Sequence, residues 1–145
     1  IAFHGFANHP KWDALLKPIA VLESRITQIH EVKKGSYVGY DHGWKAPVDS
    51  IIATLPLGHA DGIGRHFGHH KGSVFIHGEE APIVGNVCMD MLMIDVTNIK
   101  CKPQDTVCFF GTIYNTAVSF SKQGQSISYE ILSGLGPRIK RVINK

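Results

Sequence analysis

The sequence predicts a mainly β domain, a small barrel or sandwich, on three observations. Its apolar stretches are short and tend to alternate with polar residues, which gives roughly six to eight candidate strands. Turn signals separate them about every eight to twelve residues, the spacing of small barrels and sandwiches. β-branched residues are plentiful, and 15 glycines and 7 prolines are scattered along the 145 residues, as expected of short strands joined by turns.

Taken in order, IAVLESRITQIHEV (Ile19 to Val32) alternates imperfectly and predicts a long, half-buried strand that Lys34-Gly35 turns. SYVGY and VDSIIATLPLG read as strands separated by DHGWKAP, whose glycine and proline interrupt both neighbours. GSVFIHGEEAPIVGNV reads as two short strands around His77-Gly78. MLMIDVTNI is an apolar strand closed by a turn-prone Thr-Asn pair, and DTVCFF is another ending at Gly111. Thr116 to Gly124 fits a short helix or a loop equally well. SISYEILSGLG can start a short helix at Ser126 or Ser128, and PRIKRVIN alternates as a closing strand would. Residues 1–18 do not share this rhythm; with Trp12, Leu15 and Leu16 in a polar setting they read as a connector from something upstream, leaving a domain of residues 19–145.

Composition narrows the function classes. Hydrophobic residues make 43% and charged residues 19%, ordinary globular usage. No run approaches the roughly 18 apolar residues of a membrane span. IAFHGFANHPKW lacks the form of a signal peptide, so a soluble, cytoplasmic protein is expected, with Cys88, Cys101 and Cys108 as reduced thiols. The net charge of +3 comes without a block of like charges, and the basic PRIKRVINK reads as a solvated face rather than a nucleic-acid site.

One stretch stands out, LPLGHADGIGRHFGHH, with His59, His66, His69 and His70 among its glycines. His66 and His70 have i, i+4 spacing, but Gly62, Gly64 and Gly68 disfavour a helix and no partner acid follows, so exposed loop histidines are the expected state and no metal is expected. The glycine spacing is not that of a dinucleotide or phosphate loop; a turn around Asp61-Gly62 accounts for it. Cys88 in GNVCMDM sits among apolar residues without a thiolate-stabilising neighbour and reads as a buried structural thiol rather than a nucleophile.

Read together, KGSYVGYDHGW, ATLPLGHADGIGR, APIVGNVCMDMLMIDVT, DTVCFFG and SISYEILSGLGPRIKRV resemble the successive blocks of the C-terminal domain of alanine racemase, from about Leu16 to Val142. IAFHGF resembles the end of the family's N-terminal TIM-type barrel, which carries the cofactor lysine and is expected upstream. The resemblance implies pyridoxal 5′-phosphate (PLP) chemistry on alanine in a homodimer, with no part for nucleic acid or membrane. An amino acid joined to PLP as an aldimine has an acidified Cα proton, and inversion takes that proton from one face and returns one to the other. In the family one base is the barrel lysine. The other is a tyrosine of the partner subunit's C-terminal domain, and the matching residue is Tyr40 in VGYD, where Asp41 replaces the usual glycine. A free tyrosine has a pKa near 10, so serving as a base near pH 7 costs about 4 kcal/mol unless the site lowers that value.

The resemblance further implies that the Met89 backbone N–H helps to hold the substrate carboxylate, that Asp90 supports and orients, and that Tyr129 in SYE donates to the PLP phosphate. It also marks a departure. The family usually reads G-Y-A-D-G at the substrate entrance, and here His59 replaces that tyrosine with a shorter donor that can carry charge near neutrality. Two other functions remain compatible: a racemase for serine or a broader set of amino acids, and a catalytically silent dimerisation or scaffold domain. The isolated domain is expected to be inactive.

Overall fold

The computed structural model describes residues 9–13 and 15–143; IAFHGF lies outside the described residues, as do parts of the expected connector. The elements in order are α1 (Pro10–Asp13), β1 (Leu22–Arg25), β2 (Gln28–Val32), β3 (Tyr37–Val38), β4 (Trp44–Lys45), β5 (Ser50–Leu55), β6 (Ser73–Ile76), β7 (Glu79–Val84), β8 (Leu92–Asp95), β9 (Thr106–Phe110), α2 (Ala117–Gln123) and α3 (Ser128–Gly134). The mainly β, barrel-like class that the sequence predicts is what forms.

Seven strands make one curled antiparallel sheet in the order β1-β9-β6-β7-β8-β5-β2, while β3 and β4 form a separate hairpin. The two ends of that order are consecutive in the chain. The long strand expected from Ile19 to Val32 is divided at Ile26-Thr27, where it changes partners. The Ile26 N–H donates to Asp105 O beyond β9 at 3.1 Å, whereas the Thr27 N–H and hydroxyl both donate to Thr54 O in β5, at 3.0 and 2.9 Å. One segment thus supplies both edges, and the pairings return to where they began.

Side-chain alternation along the strands divides the apolar residues between two faces. Ile83, Leu92 and Ile94 point into the main core with Ile26, Leu55 and the aromatic group of Phe67, Phe109, Phe110 and Phe120. Phe67 and Phe120 stack at 4.4 Å, and Phe109 meets Phe120 edge-on at 6.0 Å. Their neighbours Val84 and Met93 face the other way and join Ile52 and Cys88 in a smaller cluster. Val38 and Trp44 pack on it, which seats the β3–β4 hairpin on the outside of the sheet.

Several local expectations are corrected. Trp44-Lys45, expected in a turn, is a strand, because Trp44 has the outer cluster to cover. SYVGY is strand only at Tyr37–Val38, and Tyr40 falls in a 3₁₀ turn. PRIKRVIN forms no strand within its described residues; the Arg141 guanidinium donates to the carbonyls of Leu135, Gly136 and Ile139 at 2.7–2.8 Å and holds the chain in a turn. The 116–124 segment resolves as helix α2. The Ser119 N–H donates to Thr116 Oγ1 at 3.1 Å, and the Thr116 N–H donates back to Ser119 Oγ at 2.7 Å. Among the described residues, no helix is long and apolar enough to cross a membrane.

Candidate active site at the Tyr40 turn

Tyr40 opens the turn Tyr40–His42 that joins β3 to β4, and 67% of its surface is exposed. The turn depends on left-handed backbone: Gly39 has φ 80°, Asp41 φ 56° and His42 φ 51°. The Tyr40 carbonyl accepts two hydrogen bonds, from the Gly43 N–H at 3.0 Å and from Asn86 Nδ2 at 2.9 Å. Asn86 follows β7, so the outer hairpin is tied to the sheet beneath it.

The same 86–90 segment holds the glycine-rich stretch. His59 N–H donates to Cys88 O at 2.9 Å and Ala60 N–H to Met89 O at 2.8 Å. These bonds bring two backbones together so closely that a Cβ on Gly58 would stand 2.5 Å from Cys88 O; only glycine fits there. The turn expected around Asp61-Gly62 is present, with Gly62 at φ 101°. Asp61 is fully buried, and its Oδ2 accepts from the Gly58 N–H at 3.0 Å. Arg138 Nε lies 3.0 Å from Oδ1 as an ion-pair contact without hydrogen-bond alignment. The HAD turn is therefore fixed on both sides, and His59 projects from it exposed.

Met89 is 59% exposed and Asp90 is also exposed. Among the described residues nothing pairs with the Met89 backbone N–H, which leaves one donor available beside the HAD turn. Cys88 is buried between these parts. Burial pushes its thiol up from the usual range and the charge of Asp90 adds to this, while a hydrogen bond with the Tyr40 backbone opposes it, a balance that suits a packed thiol and not a nucleophile.

The structure therefore gathers Tyr40, His59, Met89 and Asp90 around one loop, residues 86–90. Tyr129 belongs to another element: it stands in the first turn of α3, half-buried against the main core. Of the remaining loop histidines, His66 lies on Phe67 at 4.6 Å and His70 lies 6.1 Å from Trp44, ring to ring. His69 is an exposed loop residue as expected, and its Nε2 is bonded to Asn86 Oδ1 at 3.0 Å. Asn86 itself escapes a reading of the sequence. A glycine on either side of the contact, Gly68 and Gly85, is the local hint of close approach, since a Cβ on Gly68 would meet Gly85 O at 2.5 Å.

The curled sheet, its outer hairpin and the two loops joined beside it make a mainly β domain with its candidate site on one set of loops. The chain belongs to the alanine racemase C-terminal domain family, whose sequence profile matches residues 19–143. It is 37% identical over 143 residues to the alanine racemase of Deinococcus deserti, covering 98% of this chain and 40% of that protein. It is 38% identical over 135 residues to that of Clostridium kluyveri, covering 90% of this chain and 34% of the relative. Among solved structures, the alanine racemase of Bartonella henselae with covalently bound pyridoxal phosphate superposes with a TM-score of 0.87 at 33% identity, over 97% of this chain and 39% of that one. The biosynthetic alanine racemase of Pseudomonas aeruginosa gives 0.89 at 27% identity, over 99% of this chain and 41% of that one. The chain thus spans about two fifths of the length of these relatives.

Proposed function

We propose that this chain is the C-terminal β domain of a PLP-dependent alanine racemase and that it supplies Tyr40 as a base to the active site of the partner subunit in a homodimer. The observation that carries this reading is an exposed phenol on a clamped turn, tied through residues 86–89 to a Met89 backbone N–H that has no partner among the described residues. The naming of relatives and structural neighbours as alanine racemases supports it, and a neighbour described with covalently bound pyridoxal phosphate supports the cofactor.

The residues present fit one wall of a PLP site. They offer the amino-acid side a phenol and an amide donor. When bound, PLP acidifies the Cα proton of the attached amino acid by drawing off its electrons. Tyr40 takes that proton as the phenolate, or returns one as the phenol, on one face, opposite a barrel lysine on the other. The Met89 N–H holds the substrate carboxylate without needing a particular side chain, while Asp90 orients this loop and His59 borders the entrance. In the same reading Tyr129 donates to the cofactor phosphate. A site shared in this way leaves the isolated domain inactive.

The test is Tyr40→Phe in the full-length protein. The expected result is loss of racemisation with retained PLP absorbance, and full activity in that variant overturns the reading.

A further inference from the structure

We infer that Asn86 is a positioning residue for Tyr40 and that His69, from the glycine- and histidine-rich stretch, holds Asn86 in the orientation this requires. The inference rests on the reading of Tyr40 as a base.

The Tyr40 turn is held from within by the Gly43 N–H on the Tyr40 carbonyl at 3.0 Å and by the Tyr37 and His42 rings at 4.5 Å, and Val38 and Trp44 seat its hairpin on the outer cluster. Its flanking strands pair over two residues each, Tyr37 with Lys45 and Val38 with Trp44, and so short a hairpin is marginal alone. Gly39, Asp41 and His42 all lie at positive φ. Sparsely populated backbone of this kind persists only where its surroundings over-determine it. The Asn86 amide adds a restraint from outside the hairpin, because Nδ2 donates to the Tyr40 carbonyl at 2.9 Å. The contact is close: a Cβ on Gly43 would stand 2.8 Å from Asn86 Nδ2, so the turn rests directly on this amide.

An amide can serve in this way only if it faces the right direction. With Nδ2 committed to a carbonyl, Oδ1 must receive donors, and it does: His69 Nε2 lies 3.0 Å away and Arg65 Nη2 3.5 Å. Oδ1 carries no hydrogen, so His69 is the donor through Nε2–H. His69 is itself held at φ 56° by a backbone bond from its N–H to Gly85 O at 2.9 Å, and the His70 N–H reaches Ile83 O at 2.8 Å. A directed relay results, in which strand β7 fixes the loop, the loop histidine fixes the Asn86 oxygen, and the Asn86 nitrogen fixes the backbone that carries the phenol. Proton transfer needs heavy atoms at hydrogen-bond distance, and a displacement of about 1 Å can cost a hundredfold in rate. A clamp at the carbonyl of the base residue therefore acts on the chemical step without touching substrate.

The experiment uses the full-length, PLP-loaded protein. Asn86→Ala and His69→Leu are each expected to lower kcat about tenfold while KM moves less than about twofold. The kinetic isotope effect on Cα-deuterated alanine is expected to rise for one enantiomer only, the one whose proton Tyr40 removes. His69→Gln, whose side-chain amide can still donate, is expected to recover most of what His69→Leu loses. Wild-type kcat and isotope effects in Asn86→Ala overturn the inference, as does an equal rise for both enantiomers, which marks general loosening. If Asn86→Ala fails to fold, the His69 pair decides alone: no difference between His69→Leu and His69→Gln overturns the relay. An active Tyr40→Phe protein overturns the base reading itself; an inactive Tyr40→Phe beside an unaffected Asn86→Ala overturns only the positioning.

Discussion

Asp41, next to the proposed base, sits at φ 56° and ψ 35°. An L-residue pays about 1–2 kcal/mol in this region, less for aspartate, and glycine pays none. A glycine at this position would therefore carry no such cost. Asp41→Gly is expected to leave stability unchanged or to raise it by up to about 1 kcal/mol, whereas Asp41→Val is expected to lose about 1–2 kcal/mol, both measured by thermal unfolding. Short contiguous motifs put Tyr40, His59, Met89 and Asp90 forward as candidates in the sequence, since each lies within a run that carries its own signature. Asn86 was not, because its value comes from partners 17 and 46 positions away. A side-chain amide reads as an ordinary loop residue until the fold brings those groups to it.

At the level of elements, the aromatic group shows what closes the sheet. Phe120 comes from α2, yet its ring stacks on Phe67 of the glycine-rich stretch and meets Phe109 of β9. Phe120→Ala is therefore expected to cost about 3–5 kcal/mol, read from chemical denaturation, as removal of a fully buried ring that three elements share. The polar 116–124 sequence hid this helix because only Ala117, Phe120 and Ser121 are buried, too few to set a clear period in seven residues. The strands of the sheet were legible by contrast, since β5 to β9 are short apolar runs bounded by turn residues. The misread closing strand has a different cause: alternation at Arg138, Ile139 and Lys140 mimics a strand, while Arg141 caps the carbonyls locally and Arg138 is drawn to buried Asp61.

For the whole molecule, the three thiols give a pH dependence with a definite sign. Burial raises Cys88, Cys101 and Cys108 above the ordinary value of 9.0. As pH passes 9, the unfolded chain gives up thiol protons that the folded domain retains, so the native state binds more protons and stability falls with rising pH. Unfolding midpoints measured from pH 8 to 10.5 are expected to decline, and Cys→Ser replacement at the half-buried Cys101 is expected to flatten part of that decline. The segment through Ile26-Thr27 has a consequence of another sort, in the order of assembly. It acts as a clasp made early and fastened late: ribosomal synthesis delivers β1 and β2 before any other strand of the sheet, and β5 soon offers a partner to β2. Glu23 must wait for Cys108. Until β9 has emerged, half of the clasp hangs open with an unpaired strand edge, and closure depends on a contact between distant parts of the chain, a kind that forms slowly and invites mispairing meanwhile.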